Sequence, residues 1–240
     1  KRDLSRPVLY FAQAQIMSQM GPLPVSGEIE ADSLELLSSF MDADFLREQG
    51  WSADQALLPY IPNSYEVYWN TSAEQFRDRM LREYENFWTE NRREKARARG
   101  LSPEQAMALA SIIHKETSQA DERPRVAGVY LNRLKRGMLL QADPTVIFAI
   151  KKESGNFDTV IRRVLYRDLE LDTPFNTYKY AGVPPGPIAM PDISAIEAVL
   201  NPEEHDFLYF VADTENFGYH KFAKTLAQQE GEIIALGKAR

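Results

Sequence analysis

Apolar residues recur three and four apart through most of the chain, so the pattern predicts a mainly helical protein with a few short strands. Between Asp3 and Met20, Val8, Leu9, Phe11 and Ile16 recur at helical spacing, with Pro7 tolerable in a first turn. The run Gly21-Pro22-Leu23-Pro24 ends that stretch as a turn. A second helical stretch is expected from Asp32 to about Glu48, stopped by Gly50. Alternation of Tyr65, Val67 and Trp69 predicts a short strand. A long helix should follow, opened by the capping pair Ser72 and Gln75 and stopped by Gly100. Phe76, Met80, Tyr84 and Phe87 form its inner stripe. Ser102, Pro103 and Gln105 open the next helix, which reaches about Thr117. Another runs from roughly Asp121 to Arg136, and a third begins at Asp143-Pro144 with Asp143 as its N-cap. Phe207 to Ala212 is a continuous apolar run and reads as a buried strand, with His220 to Thr225 as its partner. Pro184-Pro185-Gly186-Pro187 is a stiff loop, either a cleft wall or a plain connector.

Composition narrows the function classes. A chain of 240 residues with 44% apolar residues can bury a sizeable core, as one large domain or one domain with a smaller companion. The net charge of -7 opposes binding a polyanion through the whole surface, so no nucleic-acid partner is expected. The one basic cluster, Arg92, Arg93, Lys95, Arg97 and Arg99, lacks interleaved aromatics and suits the negative end of a helix dipole. The chain has no cysteine, which removes disulfides, thiol nucleophiles and thiolate metal sites. His114, His205 and His220 show no metal-ligand spacing, so no metal is expected. Neither a serine-nucleophile elbow nor a glycine-rich phosphate loop occurs, and no cofactor is expected. No apolar run reaches the ~18–20 residues of a membrane span. The sequence opens on Lys1 and not on Met, so it reads as a fragment of a longer chain from which an anchor could have been cut.

Glu116 is the candidate for chemistry. Leu109, Ile112 and Ile113 define an apolar stripe, and helical spacing puts Glu116 on it. A carboxyl among apolar neighbours has its charged form disfavoured, so its pKa rises above about 4.3 and it can serve as a general acid. The competing reading pairs Glu116 with an arginine such as Arg123 or Arg133. Asp121 and Glu122 read as capping and dipole residues at a helix start. No second carboxylate is clearly placed as nucleophile or base. His114 reads as a helix-surface or cleft-wall residue.

Five segments in order carry a family resemblance. They are Ala110 to Thr117 (ASIIHKET), Val126 to Leu134 (VAGVYLNRL), and Gly137 to Val146 (GMLLQADPTV). Phe175 to Tyr178 with Gly182 to Ile188 (FNTY, GVPPGPI) and Leu208 to Ala212 (LYFVA) complete the set. Together they resemble the YceG/MltG-like endolytic murein transglycosylases over roughly residues 58–230. The resemblance implies an α+β fold: a lysozyme-like, mainly helical catalytic domain with small β elements over 58–240. Part of a LysM-like subdomain would precede it over 1–57. It implies Glu116 as the single catalytic residue, with Gln141, Asn176 and Tyr178 as substrate-binding candidates. Their structural alternatives are a turn residue for Asn176 and a half-buried ring for Tyr178. His114 stands where relatives often carry glutamate, and Gln228-Gln229-Glu230 stands near where they commonly show Glu-His.

The implied substrate is the peptidoglycan glycan strand, cut between N-acetylmuramic acid and N-acetylglucosamine to leave a 1,6-anhydro end. Peptidoglycan synthases are candidate partners, and the implied location is outside the cytoplasmic membrane on a single-pass inner-membrane anchor. A lysozyme-type hydrolase and a non-catalytic cell-wall binding or scaffold protein are the alternatives.

Overall fold

A computed structural model describes residues 8–10 and 29–231. Strand β1 (Val8–Tyr10) pairs antiparallel with β2 (Ser64–Glu66), Leu9 opposite Tyr65. The helical pattern of Asp3 to Met20 is therefore overturned at Val8–Tyr10, and its remainder lies outside the described residues. Pairing with a distant strand outweighs a local repeat where the residues suit either state. Gly21 to Pro24 also lies outside the described residues.

Between these strands, α1 (Ser33–Phe40) and α2 (Ala43–Glu48) replace the single helix expected up to Glu48. Asp42 interrupts it by accepting from the Phe45 amide at 2.7 Å, a new N-cap. The same device splits the long helix before Gly100. Helix α3 (Ala73–Phe87) ends at buried Trp88, and Thr89 caps α4 (Glu90–Ala98) by accepting from the Arg92 amide.

Helix α5 (Pro103–Glu116) starts with the capping box of Ser102 and Gln105. Every residue from Ala106 to His114 is buried, so α5 is a central helix and not one with a single inner stripe. Each of Met107, Leu109, Ile112 and Ile113 contributes about 1.5–3 kcal/mol by leaving water. Around α5 stand α6 (Arg123–Lys135), α7 (Asp143–Ser154) and α8 (Ile193–Leu200). Helix α8 is absent from the sequence reading, although Asp192 caps it at 2.9 Å and Ala195, Ile196, Val199 and Leu200 are buried. Ala142, not Asp143, occupies the N-cap position of α7, with no side-chain bond to the helix; Asp143 is the first helical residue. Strands β3 (Tyr209–Ala212) and β4 (His220–Ala223) form an antiparallel hairpin, Phe210 opposite Phe222. β3 is half-buried where a buried strand was expected, because a two-stranded sheet has only one face to cover.

Three apolar clusters form among the described residues, and two of them are large. One joins Tyr84, Trp88, α5, Tyr130, Phe175 and α8. The other gathers Ile29, Leu36, Phe40, Tyr60, Phe76 and Met80. Helix α3 contributes to both, Phe76 and Met80 to one and Tyr84 to the other. The proline loop packs on α5 and on the turn at Asp54. Ile188 donates its amide to the buried Ser111 hydroxyl at 2.9 Å, and a Cβ on Gly186 would lie 1.9 Å from the Asp54 carbonyl. No helix among the described residues is long and apolar enough to cross a membrane.

Candidate active site

Glu116 is the last residue of α5, and its side chain leaves the core toward Tyr130 of α6. The Tyr130 hydroxyl donates to Glu116 Oε1 at 2.6 Å. Burial raises the Glu116 carboxyl from its ordinary range to about 7. The bond from Tyr130 opposes that rise, the charge of Asp143 adds to it, and His220 and Arg133 pull it down. Tyr130 itself is pushed well above the ordinary tyrosine range, by burial first and then by the Glu116 charge. A carboxyl poised near neutrality with one neutral donor can give up a proton and take one back.

Neither arginine proposed as a partner pairs with Glu116. Arg123 donates to both carboxylate oxygens of Asp192, at 2.6 and 2.7 Å. Arg133 spends its guanidinium on backbone carbonyls, Leu208 at 2.7 Å and Leu140 at 2.8 Å, and stands 5.0 Å over the Tyr209 ring. It thereby fastens the start of β3 and the turn before α7 to α6, on the side of the fold where Glu116 emerges. His114 is corrected from a surface or wall position: it is buried, with Nδ1 3.4 Å from Asp192.

Asp121 and Glu122 do not cap α6 with their side chains. Glu122 is buried and accepts from the His220 amide at 2.7 Å and pairs with its Nδ1 at 2.8 Å. Asp121 accepts from the Tyr219 hydroxyl at 3.1 Å. Both carboxylates therefore clip the β3–β4 hairpin to the start of α6. Phe210 of that hairpin meets Tyr130 edge-on at 5.8 Å and His220 at 5.1 Å.

A second carboxylate does face the site. Asp143, freed from capping, accepts from the Tyr178 hydroxyl at 2.5 Å, and its charge is felt by Glu116. Tyr178 is half-buried, and burial followed by the Asp143 bond raises its pKa. Gln141 is exposed and holds a left-handed backbone at φ 52°, its amide bonded to the Thr177 carbonyl at 3.1 Å. Such a conformation costs a residue other than glycine about 1–3 kcal/mol and collects at functional sites. Asn176 is fully buried. Its amide donates to the Leu169 and Leu171 carbonyls at 2.8 Å, and its oxygen accepts from the Tyr178 amide at 3.0 Å. It holds the loop that carries Tyr178 and has no surface left for a ligand.

Tyr130, Arg133 and Asp143 were missed as site residues. Val126, Tyr130 and Arg133 share one helical face, so a phenol and a guanidinium at inward positions were the available signal. No group of acidic or histidine side chains among the described residues is arranged to hold a metal ion.

Fold and site together describe a mainly helical protein in which one glutamic acid, its carboxyl raised to about 7, meets a phenol and feels the charge of a second carboxylate. The YceG-like family model matches residues 25–233, and the chain belongs to that family. An endolytic murein transglycosylase of Bacillus subtilis (strain 168) is 38% identical over 159 residues, 66% of this chain and 41% of that protein. One from Streptococcus pneumoniae serotype 2 is 32% identical over 161 residues, 67% of this chain and 29% of that protein. The chain thus spans well under half the length of these relatives. The crystal structure of a yceG-like protein from Listeria monocytogenes superposes with a TM-score of 0.68 at 28% identity, covering 87% of this chain and 68% of that one.

Proposed function

We propose that this chain is the catalytic part of an endolytic murein transglycosylase, with Glu116 as its acid and base. The carrying observation is a half-buried carboxyl raised to about 7 and bonded to Tyr130. The names of the relatives supply the substrate class. Protonated Glu116 gives its proton to the glycosidic oxygen as the bond to the muramyl anomeric carbon breaks. The muramyl C6 hydroxyl then closes onto that carbon and surrenders its proton to the Glu116 carboxylate. The product carries a 1,6-anhydro ring, the leaving strand gains the proton, Glu116 is regenerated and no water is consumed.

The helical unit around α5 corresponds in this reading to a lysozyme-like domain over 58–240, preceded by part of a LysM-like unit over 1–57. The enzyme acts outside the cytoplasmic membrane, from an anchor N-terminal to this segment, beside peptidoglycan synthases. Gln141 and Tyr178 position the sugar, and Asn176 positions Tyr178.

Asp143 favours one competing reading. Two carboxylates on one site are what a hydrolase needs to activate water. Mass spectrometry of digested glycan strands separates the two. Anhydromuramyl ends from the wild type and none from Glu116→Gln are expected. Reducing ends, lost in Asp143→Asn, would establish the hydrolase instead.

A further inference from the structure

Next to the Glu116 site lies a separate cavity of about 170 Å³. Phe148, Phe157 and Ile188 give it apolar walls, and Pro144, Lys115 and Lys151 complete the sides that matter here. No carboxylate lines it. Lys115 and Lys151 form no ion pair among the described residues; Lys151 donates only to the Phe157 carbonyl, at 3.0 Å. In a chain of net charge -7, two cations at an apolar cavity without a counter-charge are a local reversal. Lys115 is exposed as a residue, yet its ammonium is depressed by partial burial first and by the charge of Lys151 second, and an arriving anion would offset the repulsion between the two.

The position of the cavity in the chain links it to the chemistry. Lys115 directly precedes Glu116 on α5, and Pro144 directly follows Asp143 on α7. Consecutive Cα atoms are about 3.8 Å apart, so the cavity begins one residue from each carboxylate of the site. A volume of 170 Å³ lies below the roughly 300–1,000 Å³ of sites that take whole small molecules. It suits a substituent and not a saccharide.

We infer that this cavity binds the peptide stem of the strand, its lactyl-alanyl part against the apolar walls and the carboxylate of the following D-glutamate between Lys115 and Lys151. The lactyl and alanyl units together span at most about 7 Å, so the stem reaches the cavity only if the muramyl ring lies within that distance of it. The inference rests on the proposed function for its substrate. It makes the stem a determinant of which strands are cut.

Two measurements on wild type, Lys115→Gln/Lys151→Gln and Lys151→Arg test it. The first compares kcat/KM on strands with stems and on strands stripped of them by an amidase. The wild type should favour stem-bearing strands, the double variant should lose about tenfold of that ratio, and Lys151→Arg should keep most of it. The second follows amide NMR shifts on adding N-acetylmuramyl-L-alanyl-D-glutamate or its diamide. Shifts should centre on Lys115, Phe148 and Lys151, and the diamide should bind about tenfold more weakly. Equal binding of acid and diamide, shifts centred elsewhere, or an unchanged ratio in the double variant would overturn the inference. If the wild type cuts neither substrate, the transglycosylase reading fails, and the binding measurement still decides the cavity.

Discussion

Two carboxylates near the C-terminal end of α5 lie in opposite surroundings. Asp192 meets His114 and Arg123, accepts from the Ala195 amide and the Ser194 hydroxyl, and caps α8. Burial pushes its pKa up, yet those donors together hold it well below the usual carboxylate range. Glu116, two residues along α5 from His114, has one neutral donor and another carboxylate nearby, and burial lifts it to about 7. A carboxylate surrounded by cations and amides stays charged and holds helices together. One left with a phenol keeps its proton within reach. Burial raises both; the several donors around Asp192 outweigh it, and the single phenol on Glu116 does not.

Substitutions at both places sharpen this contrast. The largest effect is expected from Glu116→Gln, a fall of about 10³-fold or more in turnover, read by the release of strand ends. The same change should stabilise the fold at pH 8. A folded pKa raised from 4.5 to about 7 means the native state binds more protons between those values. Stability therefore falls as pH rises through that window and is flat above it. The Glu116→Gln gain in Tm should vanish by pH 4.5.

Asp192→Ala works in the other direction, leaving the buried Arg123 guanidinium without its carboxylate. It should cost about 2–3 kcal/mol in urea unfolding. Gly186→Ala forces a methyl group into the Asp54 carbonyl and should cost about 1–3 kcal/mol by the same measurement. The smallest effect belongs to Tyr130→Phe. It removes the bond that favours charged Glu116, so the alkaline limb of the activity profile should move to higher pH. A limb moving to lower pH would contradict the assignment.

The helices with side-chain caps were largely legible: Ser102-Pro103 with Gln105 marks the start of α5, and Ser72 with Gln75 that of α3. Where a cap sits inside an apolar repeat, as Asp42 and Thr89 do, periodicity ran through it and joined two helices into one. Glu116 was readable because one helix sets its direction. Its partners were not, because Tyr130 and Asp143 reach it from other helices, and only packing brings them there. Asp143 shows the cost of local rules. An acid before proline at a helix start reads as a cap, whereas its carboxylate turns to Tyr178. The Glu122–His220 clip spans 98 residues of sequence and left no local trace.

Glu116 holds its proton close to neutrality while Asp192 stays ionised. Carbon-13 NMR titration of the side-chain carboxyls tests it most directly, with Glu116→Gln to assign the signal. A Glu116 midpoint near 7 is expected, with an Asp192 signal that remains that of a carboxylate down to strongly acidic pH. A Glu116 midpoint at or below 4.5, the ordinary glutamate value, would contradict it.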